Sequence, residues 1–400
     1  NHLEALTWYT KSAVAKHPLG ISRLAWALTI GVGVKPDFEQ GRHWCTRAAE
    51  LGNPFSKAHM AAHGWSRPGG FEVAIKWYRQ AARQGDPRGL YFTGKYLQMG
   101  RAVEKDLPAG AASYRRGAEL GDPACMRAYG VCLATGKGTR NDPEAAVKWY
   151  RKSATRKCFW GMLSLGQALY DGHGVKRDRA SAVRWWLQAV TTKSDGRHHA
   201  MNRLGLAYDR DGIQPDPKES VRWHQSAARL GNPHSMFALG CAYRDGRGVG
   251  QDHAQSFGWF KLAAKRGNVP AMGALGQCFD LGQGTNKNRK LAVRLYKVAA
   301  KHGNTTAMVH LGLKHYHGRS MEQDHVQARA WFQRAAEGGH ADGMGHLGSM
   351  FLRGEGGKSD LKLAVRWMSK AVDGGATEFA GGLGKLLDAH PELRAGARPR

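Results

Sequence analysis

The stretch RDGRGVGQD, Arg244 to Asp252, sets glycines at 246, 248 and 250 in a basic segment. Taken alone, that is the look of a phosphate-cradling loop, which stands once in a chain, after a strand and before a helix. This segment instead has siblings: TGKGTRND (Thr135 to Asp142), DGHGVKRD (Asp171 to Asp178) and LGQGTNKN (Leu281 to Asn288). Each sibling lies between two helical patterns. Gly246 therefore reads as a helix C-cap, where a left-handed backbone is needed. Gly248 reads as the turn, and Asp252 as the N-cap of the next helix. Gly250 falls where the siblings carry Arg140, Lys176 and Asn286, so the alternation of three glycines is partly coincidence.

Outward from this loop the whole chain repeats. Trp8, Trp44, Trp77, Trp149, Trp185, Trp223, Trp259, Trp331 and Trp367 recur in one context, with Ser113 and Leu295 in the two vacant places. The spacing is 36 residues throughout, except 33 from Trp44 to Trp77 and 38 from Trp185 to Trp223. That gives eleven copies, each of two helices. The second helix is typified by DPEAAVKWYRKSA, in which Asp142 is the expected N-cap and Pro143 suits the first turn. Ala146, Trp149, Tyr150, Ser153 and Ala154 share one face, and the opposite face is cationic. The first helix is typified by NPHSMFALGCAYRDG, Asn232 to Gly246, with Leu239-Gly240 in its middle. Glycine there costs about 1 kcal/mol against alanine. Its return at Gly130, Gly166, Gly205, Gly240, Gly276, Gly312, Gly348 and Gly384 calls for a compensating gain. Close approach of a neighbouring helix is the expected one, with Trp and Tyr filling the space between and paired alanines such as Ala227-Ala228 letting backbones meet.

One such pair cannot bury its own apolar face, so copies must stack. The expected architecture is all-α, an α/α solenoid or superhelix running as one body over 1–390, with 391–400 as a basic tail. FAGGLGKLLDAH keeps the Leu-Gly pair and is expected to close the stack. The pattern LG-x-x-Y-x-x-G-x-G-V followed by A-x-x-W-Y-x-x-A-A-x-x-G resembles the Sel1-like repeat family, relatives of the tetratricopeptide repeat, over essentially the whole chain. Tetratricopeptide and pentatricopeptide repeats fit less well, because the period is 36 and the glycine-rich loop lies between the helices. The resemblance implies a scaffold or adaptor for assembling complexes, without catalysis of its own.

The 400 residues are 42% hydrophobic, as in folded proteins, and no apolar run approaches the ~20 residues that span a bilayer. The chain opens inside a helical pattern, so a missing native N-terminus is expected. Six cysteines, at 45, 125, 132, 158, 241 and 278, lack the density and pairing of a disulfide scaffold. Buried free thiols in a reducing intracellular compartment, cytoplasm or organelle matrix, are the expectation. The charge is the unusual quantity: 60 Lys and Arg against 32 Asp and Glu, a net +28. Such an excess favours acidic partners.

In a solenoid, one repeat position in successive copies lies on one line. Immediately before the Trp place stand Lys76, Lys148, Arg184, Arg222, Arg294 and Arg366, and two places after it Arg79, Arg115, Arg151, Lys261 and Lys297. Arg83, Arg229, Lys265 and Lys301 form a third set. A charge run is ordinarily a solvated face, but these have few counter-charges, and in register they suit a polyanion backbone. Two copies break the period. HGWSRPGGFEVAIKWY contracts the loop around Arg67-Pro68-Gly69-Gly70, and VTTKSDGRHHAMNRLG carries extra residues that are expected to present Lys193, Arg197, His198 and His199 on an exposed loop. Loops absorb such changes neutrally; the functional reading is contact with an acidic partner. Arg127, Arg203, His310 and Lys314 are candidates on the first helices.

His302, His310, His315 and His317 lack the i, i+4 spacing of a zinc site and read as scattered surface histidines, with His198 and His199 pointing to different faces. No hydrolase, zincin, Walker or C-x-x-C motif stands in a usable context, and Asp142, Asp178, Asp252 and Asp324 are explained by capping. No enzyme, metal, cofactor or small-molecule substrate is expected. The expected function is a non-catalytic scaffold holding protein partners in a larger assembly. The alternative is a basic structural subunit of a ribonucleoprotein, such as an organellar ribosome, lying on RNA backbone.

Overall fold

The computed structural model describes residues 2–31, 34–62, 70–192, 194–209 and 215–396. Lys193 and the contracted stretch Arg67-Pro68-Gly69 lie outside the described residues. Twenty-two α-helices and two 3-10 helices account for the secondary structure, with no strand among the described residues. The chain divides into two compact units, Asn1–Ala200 and Met201–Arg400. Each is a run of helix pairs packed on their sequence neighbours, an α/α solenoid.

The helices alternate as A (first) and B (second). The series opens on the B helix His2–Val14. In the second unit the A helices include Pro233–Asp245, Val269–Leu281, Thr305–His317 and Ala341–Arg353. The B helices there are Pro217–Arg229, His253–Lys265, Arg289–Lys301, His325–Glu337 and Leu361–Asp373. Each of these second-unit B helices starts on a side-chain cap. The Asp252 carboxylate accepts from the Gln255 N–H at 2.9 Å, and Asp142, Asp178 and Asp324 do the same to Ala145, Ser181 and Gln327. Capping thus accounts for all four carboxylates.

The opening loop is a hinge. Gly246 sits at φ +69°, its N–H donating to the Ala242 carbonyl. Gly248, at φ +70°, presses on the Pro217 carbonyl at the start of the preceding B helix, and a Cβ there would overlap that backbone. Gly250 has neither a positive φ nor any neighbour for a Cβ to meet. Two of the three glycines are needed for shape and packing, and the third is incidental.

The mid-helix glycine is compensated by a ring. Gly240 faces Phe260, Gly276 faces Tyr296, Gly312 faces Phe332, and in the first unit Gly130 faces Tyr150 and Gly166 faces Trp186. Backbones also approach, since a Cβ on Gly130 would lie 3.2 Å from the Ala146 carbonyl oxygen. The buried ring is the residue after the Trp place. Phe260 is 0% exposed, whereas Trp259 is half-buried and Trp8 is 63% exposed. Some of the indoles are covered on a face by the cation three residues on: Lys152 over Trp149 at 4.4 Å, Arg334 over Trp331 at 5.0 Å, Lys370 over Trp367 at 5.1 Å. The core is accordingly a series of small clusters, each shared by a B helix and the A helices beside it.

Candidate interaction surfaces

The B helices set the basic residues by simple geometry. The positions before the Trp place and two after it fall opposite the buried Ala and ring positions, so their side chains leave the core. Lys76, Arg79, Lys148, Arg151 and Arg184 in the first unit are exposed, as are Arg222, Lys261, Arg294, Lys297 and Arg366 in the second. Among the described residues Arg222 pairs with Glu219 at 3.1 Å, Arg115 with Glu119 at 2.8 Å, and Arg184 donates to the Ser181 hydroxyl. No ion pair holds the other members of these two sets among the described residues. The third set is different in kind. Arg83, Arg229, Lys265 and Lys301 stand in the last turns of their helices, where a cation complements the helix dipole.

Several site residues lie elsewhere than the sequence suggests. Arg197, His198 and His199 are not on a loop but in the first turn of the helix Arg197–Ala207, because the extra residues are taken up in the turn before it. Arg197 remains exposed. The His198 and His199 rings do not part to different faces. They lie 4.1 Å apart, since consecutive side chains about 100° apart in a first turn can lean together. Of the four histidines read as surface residues, His302 and His317 are exposed, but His310 is packed flat on Tyr296 at 4.8 Å and burial lowers its pKa. Lys314 is no free surface cation. Its ammonium is buried 2.6 Å from the Asp280 carboxylate of the preceding A helix. Arg127 lies over Trp160, 5.8 Å from the ring centroid, and Arg203 is exposed. Among the described residues no group of three or more His, Cys, Asp and Glu could hold a metal ion, and no helix is long and apolar enough to cross a membrane. All six cysteines are free thiols. Burial pushes Cys45 and Cys278 up to about 11, so they are poor nucleophiles near neutral pH.

Two features escaped the sequence reading. Trp160, on the A helix Phe159–Asp171, is 41% exposed between Arg127 and His199. A cavity of about 530 Å³ opens in the second unit above His224, between the helices that carry Arg203 and Phe237. The Trp count could not flag either, because Trp160 lies outside the repeat and the cavity arises from residues that are absent.

Known proteins agree with this geometry. The Sel1 repeat matches at residues 18–53, 61–86, 87–122, 123–158, 161–191, 198–232, 233–268, 269–304, 305–340 and 341–375. Nine of these are A-then-B pairs, and the match at 61–86 covers the B helix Phe71–Arg83 with only the end of the A helix Pro54–Ala62; the B helix His2–Val14 precedes them and the A helix Ala380–Ala389 follows. A solved Sel1 repeat protein from Oxalobacter formigenes is 31% identical, with a TM-score of 0.55, covering 80% of this chain and 91% of its own. A protective antigen of uropathogenic Escherichia coli, described as displaying an SLR fold, is 27% identical with a TM-score of 0.61, covering 95% of this chain and 82% of its own. No curated protein sequence matches. With the family pattern running from residue 18 to residue 375, the chain belongs to the Sel1 repeat family.

Proposed function

We propose that the chain is a non-catalytic scaffold that holds acidic protein partners within a larger assembly. Family membership supports an interaction role. The observation particular to this chain is the recurrence of exposed cations on B helices of both units: Lys148, Arg151, Arg294, Lys297 and Arg366 project outward without a carboxylate partner among the described residues. Exposed charges of one sign steer association and select against like-charged partners. Arg197, exposed at the period break, is a second contact for an acidic partner, and Lys193 is assigned to it from the sequence alone.

A second reading rests on the same cations. Phosphates in register with them would bind through counterion release, which makes the chain a structural subunit of a ribonucleoprotein lying on RNA backbone. Capture of partners by the full-length tagged chain, with and without nuclease, separates the two. Partners retained after nuclease support direct protein contacts; partners lost after nuclease support RNA and end the first reading.

A further inference from the structure

The cavity above His224 has a cause that the rest of the chain makes legible. In three copies the residue two places before the mid-helix glycine of an A helix is a ring that covers the buried ring of the preceding B helix. Phe92 lies on Tyr78 with centroids 4.7 Å apart and planes 13° apart. His310 lies on Tyr296 at 4.8 Å and 16°, and His346 on Phe332 at 4.8 Å and 25°. A second ring can come from the A helix of the same copy, three places before its glycine: Tyr91 stands 5.8 Å from Tyr114, and Phe237 5.7 Å from Phe260.

At His224, as at Tyr150 with Ser164 and Arg127, both places are without a ring, and the imidazole fills less of the space than a tyrosine does. For His224 the covering position is Ala238 and the other is Asn202. His224 itself lies flat across Gly205, with its Nδ1 3.3 Å from the Ser235 hydroxyl, which donates to Asn202 Oδ1 at 2.9 Å. The His224, Ser235 and Asn202 groups at the base are therefore bonded to one another, and the open space has an apolar wall of Leu206, Phe237 and Cys241. Leu206 is 45% exposed at its edge. At the rim Arg247 pairs with Asp209 at 3.4 Å, while Arg203 is exposed and has no ion pair among the described residues, so one unpaired cation remains there on a chain of net +28.

We propose that this cavity docks an aromatic side chain of an acidic segment in a protein partner, the incoming ring taking over His224 the place that Phe92, His310 and His346 hold elsewhere in the chain. The proposal rests on the scaffold reading and names where one partner is gripped. An aromatic anchor in a desolvated pocket supplies most of the energy of such contacts, and carboxylates beside it meet Arg203.

The test is selection of random short peptides on the full-length chain, followed by binding of the enriched peptides to variants. Wild type is expected to enrich peptides with Trp, Tyr or Phe among Asp and Glu. Ala238→Phe and Ala238→His, which supply the missing ring from within, should weaken those peptides at least about tenfold, and Arg203→Ser several-fold. Ala238→His uses the residue the chain already carries at 310 and 346, so it decides the matter if Ala238→Phe does not fold. Enrichment of peptides without aromatics, or undiminished binding to a folded Ala238→His, overturns the proposal. Protein partners captured equally by wild type and Ala238→His end the pocket proposal while leaving the scaffold reading standing; no protein partner captured by wild type ends both.

Discussion

An alanine at Gly240 would drive its Cβ into the Phe260 ring, with no flexible chain end to give way. An alanine at Gly384, the same repeat position in the last A helix, meets nothing within 4 Å. Overpacking costs about 1–3 kcal/mol, while removing a mid-helix glycine gains up to about 1 kcal/mol. Thermal unfolding should therefore show Gly240→Ala lowering the midpoint and Gly384→Ala holding or raising it. His224 gives a second residue-scale prediction. Burial lowers its pKa from 6.5 to about 4. Between those values the unfolded chain binds a proton that the folded chain refuses, so stability is full above about pH 6.5 and falls as the pH drops through 4. The window is worth about 3 kcal/mol. His224→Phe should flatten that part of a pH series of unfolding midpoints; an unchanged slope would assign acid sensitivity to other groups. The sequence made Gly240 legible as a paradox, a helix breaker kept in register, but not its resolution by the residue after the Trp. Adjacent Trp and Phe are both apolar, and only the helix's orientation decides which one turns inward.

Helix boundaries were the most readable level, because Asp252 and Gly246 act through their own backbone within a few residues. Contacts between helices of successive copies were not readable, and Lys314 is the instructive case. By position it is a surface cation on an A helix, yet Asp280 occupies the neighbouring copy at the right height, and the two are buried together. The pair predicts a pattern among variants. Lys314→Met alone leaves the Asp280 carboxylate buried without its partner and should cost about 3 kcal/mol in denaturant unfolding. Lys314→Met combined with Asp280→Leu should recover most of that loss, because two apolar side chains of similar size need no compensation. If the double variant is as unstable as the single, the pair positions the two A helices rather than merely offsetting its own desolvation.

For the chain as a whole, the repeat decided the fold because stacking converts one legible unit into a series, so an error in one copy is corrected by the next. Function lacks that redundancy. The cavity at His224 stands where Ala238 and Asn202 leave a small imidazole without a covering ring, and a missing ring is visible only once the rings that stand beside other B-helix rings are known. The basic stripes lie between these cases, periodic in sequence and exposed in fact, and their meaning is a matter of what they meet. If Lys148, Arg151, Arg294 and Lys297 contact a phosphate backbone, the affinity of the full-length chain for single-stranded RNA should fall steeply with salt. Replacing all four with Ser should then reduce the magnitude of the log–log slope by about 3. Were the stripes only a solvated face, the quadruple variant would keep the wild-type slope, since uncontacted lysines release no counterions. A salt titration of both proteins on one RNA reads the difference directly, and it is independent of stability because all four side chains are exposed.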